Sequence, residues 1–126
     1  MAWLDHPRFI AAMRLAFWLT LLFSLTMAVL PQPPKLPIDS MSDKFAHMLA
    51  FATLTGFAGL GFPQANPWRV AERLSFAGAL IEVVQSVPML HRDCDIRDWI
   101  ADSVAILVVT MAMQLVLPYL RGPAGR

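Results

Sequence analysis

Three aspartates in the stretch CDIRDWIAD, Asp95, Asp98 and Asp102, are spaced three and four residues apart. In a helix these positions lie on one face, within about 60° of each other. An uncharged run, residues 103–120, follows directly. Carboxyl groups in this pattern can accept hydrogen bonds, hold a cation or exchange protons. The pattern therefore predicts a polar face where an apolar helix begins.

Two other apolar segments carry ionisable side chains. SDKFAHMLAF has Asp43 and His47 one turn apart with Lys44 beside them, and GALIEVVQSVP has Glu82 and Gln85 at a three-residue step. An acid at the centre of a membrane helix costs about 2.5–3.5 kcal/mol. Glu82 lies near the middle of its segment, so we expect it to face other protein groups.

The composition predicts an integral membrane protein. Apolar residues make up 57% of the 126 residues, whereas soluble domains have about 45–50%. The net charge of +1, without a basic cluster, gives no indication of nucleic-acid binding.

The chain has one cysteine, Cys94. A single cysteine excludes an internal disulfide and a cysteine-based metal site.

Four apolar segments, 9–30, 44–62, 70–90 and 98–120, approach the length of about 20 residues that a helix needs to cross a bilayer. Proline-rich or charged connections separate them: PQPPKLPIDSMS, PQANPW and HRDCDIR. The chain is therefore predicted to be one all-α domain over 1–126, a polytopic membrane protein with a four-transmembrane-helix bundle. The spacing Ala52-x3-Gly56 favours close helix packing.

Basic residues predict the orientation. Six lie on the side that holds both termini: Arg8, Arg14, Arg69, Arg73, Arg121 and Arg126. Four lie on the other side: Lys35, Lys44, Arg92 and Arg97. The positive-inside rule then places both termini in the cytoplasm.

This topology brings nine polar side chains to the outer half of the membrane. They are Asp43, Lys44, His47, Glu82, Gln85, Arg92, Asp95, Asp98 and Asp102. The inner half is expected to be almost free of such groups apart from Glu72, Arg73 and Gln114.

Some of these residues also fit purely structural roles. Asp95 and Asp98 match a capping box, Asp43 can cap the second helix, and Lys44 can be an interfacial anchor. Asp102 lies a full turn deeper than Asp98, so capping does not explain it.

The ordered blocks SDKFAHMLAFATL, IEVVQ, an arginine and DIRDWIADSVA resemble the VanZ-like family of small bacterial membrane proteins over residues 42–108. Eight residues occupy the places of the family pattern: Asp43, Lys44, His47, Glu82, Gln85, Arg92, Asp95 and Asp98. Asp102 stands where the family usually has asparagine, and Ala105 where it usually has glycine. The resemblance implies a cell-envelope role in the bacterial inner membrane, since the family's namesake is associated with low-level teicoplanin resistance.

Three functions remain open. The polar cluster would recognise a lipid head group, a lipid-linked cell-wall intermediate or a glycopeptide-type antibiotic. Alternatively, a membrane enzyme would act on a lipid-linked, phosphate-bearing substrate, with Glu82, His47 and Asp98 as catalytic candidates. It would use a divalent metal held by His47 and carboxylates, or proton exchange between Glu82 and His47. The third function is a proton-coupled carrier or an assembly partner, and a homo-oligomer is also open.

Overall fold

The computed structural model describes residues 2–29, 43–86 and 96–121. A short 3-10 helix, Ala2–Asp5, precedes four α-helices in this part of the chain. They are α1 (Pro7–Val29), α2 (Asp43–Gly61), α3 (Pro67–Gln85) and α4 (Ile96–Arg121). The prediction of an all-α fold is confirmed at this level.

The turn between α2 and α3 is determined by local sequence. The Asn66 side chain accepts a hydrogen bond from the backbone N–H of Trp68 at 2.9 Å, and Pro67 takes the first helical position. Asparagine and proline are favoured at these positions because they satisfy or remove free N–H groups. As a result α3 begins three residues before the predicted 70. It ends at Gln85, where the backbone N–H of Ser86 bonds to the carbonyl of Glu82.

The helices pack in a definite order. α2 lies between α1 and α4, while α3 packs mainly against α4 and makes fewer contacts with α1 and α2. The apolar core joins all four helices through Phe17, Phe51, Leu54, Ala58, Ala71, Leu74 and Ile106. The α3–α4 pair therefore forms one side of the bundle.

The bundle combines an apolar core with a few buried polar side chains and a large exposed apolar surface. Glu82, Asp102, Thr55 and Thr110 are buried. Large apolar side chains are exposed along the helices, among them Phe23, Phe76 and Leu115. A large exposed apolar surface around buried carboxyl groups is typical of a protein whose solvent is lipid.

Two helices, α1 and α4, are long and apolar enough to cross a membrane. Helix α2 contributes a shorter apolar stretch, 45–61, and α3 carries four charged residues, Arg69, Glu72, Arg73 and Glu82. Both α2 and α3 have 19 residues, a length of about 28 Å at 1.5 Å per residue. Length and composition thus support membrane association, and the four-span bundle stays a prediction.

Close helix packing occurs at glycines other than the expected one. A Cβ at Gly56 would meet nothing within 4 Å, so the expected close contact there is wrong. A Cβ at Gly61 would lie 2.9 Å from the backbone nitrogen of Arg14, and one at Gly78 would lie 3.4 Å from the Trp99 ring. Close packing therefore joins α1 to α2 at Gly61, and it joins α3 to Phe51 of α2 and Trp99 of α4 at Gly78.

Candidate functional site

Helices α3 and α4 each carry a buried carboxyl group. Glu82 of α3 is 7% exposed and Asp102 of α4 only 2% exposed. Asp98, in the first turn of α4, is half-buried. The Asp102 carboxyl group interacts electrostatically with both Asp98 and Glu82. We refer to Glu82, Asp98 and Asp102 as the acidic cluster.

Polar contacts between α3 and α4 orient this cluster. The indole N–H of Trp99 donates to the backbone carbonyl of Ser75 at 2.9 Å. The hydroxyl groups of Ser75 and Ser103 share a hydrogen bond of 2.8 Å. Trp99 and Ser103 directly follow Asp98 and Asp102 in the sequence, so these contacts set the rotation of α4 that turns its acids toward α3.

Sequence reasoning missed these orienting contacts. The Trp99 ring is half-buried against Gly78 and its N–H is bonded to α3. One sequence feature could have indicated them: Ser75 and Glu82 are seven residues apart, which places both on one face of α3.

Asp102 carries a buried carboxyl oxygen that the described residues leave without a hydrogen bond. Within the described ranges, no group donates a hydrogen bond to its Oδ1, which is shielded from solvent. A buried polar atom left in this state costs about 1–3 kcal/mol. Buried polar atoms of this kind usually accept a hydrogen bond from a ligand or an ordered water.

A groove of about 400 Å³ opens beside the acidic cluster. It lies between α3 and the start of α4, and its walls are mainly apolar: Ala79, Val83, Ile96 and Trp99, with Glu82 and Ser86. The volume falls in the range of small-molecule sites, about 300–1,000 Å³. An apolar groove with a carboxyl group in its wall fits a molecule that has both a hydrocarbon part and a polar part.

His47 lines a different cavity. That space of about 30 Å³ lies between α1, α2 and α3, where His47 faces Ser24, Ala28 and Ile81. It has room for about two waters. The structure thus brings Glu82, Asp98 and Asp102 together, while His47 and Glu82 line separate spaces.

The other predicted site residues are not covered by the structure. The side chains of Asp43, Lys44 and Gln85, and the whole of Arg92 and Asp95, lie outside the described part of the chain. A single pocket shared by all nine predicted residues stays a prediction.

Metal binding was one of the chemistries that the sequence left open. Among residues 2–29, 43–86 and 96–121, no three or more histidine, cysteine, aspartate or glutamate side chains are placed to hold a metal ion. The Asp43 side chain and Asp95 lie outside the described part of the chain, so the divalent-metal alternative stays a prediction.

Comparison with protein-family models, with curated proteins and with solved structures gives no match to this chain. The resemblance to the VanZ-like family therefore rests on the sequence blocks alone.

Proposed function

We propose that this chain is a four-span, VanZ-like protein of the bacterial cytoplasmic membrane, with both termini in the cytoplasm, that binds an amphipathic envelope molecule at the outer ends of α3 and α4. Buried polar side chains together with a large exposed apolar surface support the membrane setting. Polar groups such as Glu82 and Asp102 are inside, and apolar side chains such as Phe76 and Leu115 are outside. The excess of arginine at the termini and the middle loop supports the orientation.

One observation carries the binding proposal: the buried carboxyl group of Asp102, whose Oδ1 accepts no hydrogen bond from the described residues. The adjoining apolar groove contains Glu82, a second acid of the same cluster. In the bound state a hydrocarbon chain would occupy the groove. Amine or hydroxyl groups of the head would donate hydrogen bonds to the acidic cluster.

Three kinds of ligand share this chemistry: a lipid head group, a lipid-linked cell-wall intermediate and a glycopeptide-type antibiotic. Each combines an apolar part with amine or hydroxyl donors. Lys44 and Arg92 would meet a phosphate where the ligand carries one, whereas His47 lines a separate space. The resemblance to the VanZ-like family favours this envelope setting, including a role in the teicoplanin response.

Replacing Glu82 by glutamine tests the proposal. We expect Glu82→Gln to lower the amount of copurifying amphipathic molecule about tenfold or more, because a hydrogen bond to a charged group contributes about 1.5–3 kcal/mol. The measurement is native mass spectrometry of protein extracted into mild detergent.

Glu72→Gln is the matched control, because Glu72 lies on the same helix and is exposed. It removes the same charge and should leave the bound molecule in place. Equal recovery of the same molecule from wild type and Glu82→Gln would refute binding at the acidic cluster.

A further inference from the structure

A polar cavity lies at the end of the bundle opposite the acidic cluster. Its volume is about 150 Å³, and its walls come from α2, the α2–α3 turn, the start of α3 and the end of α4. Four polar side chains line it: Thr55, Thr110, Gln114 and Arg121. Gln114 is one of the three polar residues expected in this half, and the cavity adds Thr55, Thr110 and Arg121 to it. Glu72 and Arg73, which were expected there, are exposed on α3.

The positive charge of the Arg121 guanidinium at this cavity is only partly balanced by a neighbouring carboxylate. Its side chain is 18% exposed, and its Nε and Nη2 atoms are shielded from solvent without a hydrogen bond to any described residue. The nearest carboxylate oxygen is that of Asp5, 3.6 Å from Nε. This distance is too long for a hydrogen bond, and the Asp5 side chain is 57% exposed.

The remaining walls also favour negative charge. Pro67 and Val70 belong to the first turn of α3, so the positive end of that helix dipole borders the cavity. The hydroxyl groups of Thr55 and Thr110 donate to carbonyls of their own helices. Arg121 and the Gln114 amide are therefore the remaining side-chain donors among the described residues that line the cavity. No acidic side chain is among the described residues that line this space.

We propose that this cavity binds a phosphate-sized anion through the Arg121 guanidinium and the Gln114 amide. Its volume of about 150 Å³ is about five times that of the cavity beside His47, or room for about ten waters, which accommodates a phosphate group. Arginine suits this role because its planar donors match phosphate oxygens. The anion is either free inorganic phosphate or the phosphate of a phospholipid head group, and the site is separate from the acidic cluster.

A phosphate titration tests the site. The probe is inorganic phosphate, added at constant ionic strength to full-length protein in dodecyl maltoside, with thermal unfolding followed by circular dichroism. Bound phosphate raises the Tm by mass action. We expect Arg121→Gln to weaken the apparent affinity about tenfold or more. Arg69→Gln, an exposed arginine at the same end of the bundle, should respond like wild type.

Two further variants separate anion binding from a structural role of Arg121. Asp5→Asn removes the carboxylate that competes for Arg121, so it should bind phosphate more tightly than wild type. Gln114→Leu keeps Arg121 but removes an amide donor, so it should bind more weakly. Identical phosphate responses in wild type, Asp5→Asn and Gln114→Leu would overturn the proposal, whether or not Arg121→Gln folds.

Native mass spectrometry with added phosphatidylglycerol distinguishes the two sources of the anion. A lipid adduct that Arg121→Gln loses and Arg69→Gln keeps identifies a head-group phosphate. A phosphate-dependent Tm without such an adduct identifies a free anion. If neither the Tm nor the adduct depends on Arg121, the cavity is not an anion site.

Discussion

Asp102→Asn is expected to stabilise the folded protein while weakening its ligand binding. Asp102 is almost fully buried and interacts electrostatically with Asp98 and Glu82. Asparagine has nearly the same shape, and its amide can donate a hydrogen bond to a neighbouring carboxylate. We expect the free energy of unfolding to rise by about 1–3 kcal/mol, measured by thermal unfolding in dodecyl maltoside.

The control for Asp102→Asn is again Glu72→Gln, which removes one negative charge at an exposed position. Exposed substitutions usually change stability by less than about 0.5 kcal/mol. Unchanged or lower stability of Asp102→Asn would show that Asp102 is satisfied within the fold. The Asp102 carboxyl group would then not need a ligand to complete its hydrogen bonds.

Gly61→Ala is expected to destabilise the protein by about 1–3 kcal/mol through overpacking. The added methyl group would lie 2.9 Å from the backbone nitrogen of Arg14. That backbone cannot move without shifting α1. The shift would also weaken the 2.6 Å hydrogen bond from Arg14 Nε to the Gly61 carbonyl and the stacking of Arg14 on Phe62.

Gly56→Ala provides the matched control in the same helix. A Cβ at Gly56 meets no atom within 4 Å, and alanine favours helix over glycine by about 0.5–1 kcal/mol. The two variants should therefore change Tm in opposite directions. A similar Tm for both would contradict the close α1–α2 packing at Gly61.

Much of the helical structure could be predicted because its determinants are local. Apolar runs and prolines indicated the helices, and PQANPW indicated the turn between α2 and α3. The early start of α3 was also present in the sequence, since Asn66 followed by Pro67 is a favoured helix start. The packing order of the helices could not be predicted from local sequence. Helix α2 lies next to α4, for example, because distant parts of the chain contact each other.

The candidate site was predictable only in part. The i, i+4 spacing placed Asp98 and Asp102 on one face of α4, and Glu82 was expected to face protein groups. The same stripe continues through Ile106 and Thr110 toward the cavity at the far end. From the sequence, Arg121 was expected only to be one of the charges that set the topology. Spacing along one helix does not show that two helices enclose a cavity.

Labelling of Cys94, the only cysteine, tests most directly the claim that the acidic cluster lies at the outer end of a four-span bundle. Cys94 belongs to the connection between α3 and α4, so a membrane-impermeant maleimide should label it in intact spheroplasts. In a Cys94→Ser protein that also carries Gln64→Cys, the cysteine lies in the α2–α3 turn and should react only after permeabilisation. The reverse pattern, with Gln64→Cys labelled in intact spheroplasts and Cys94 only after permeabilisation, would contradict the account.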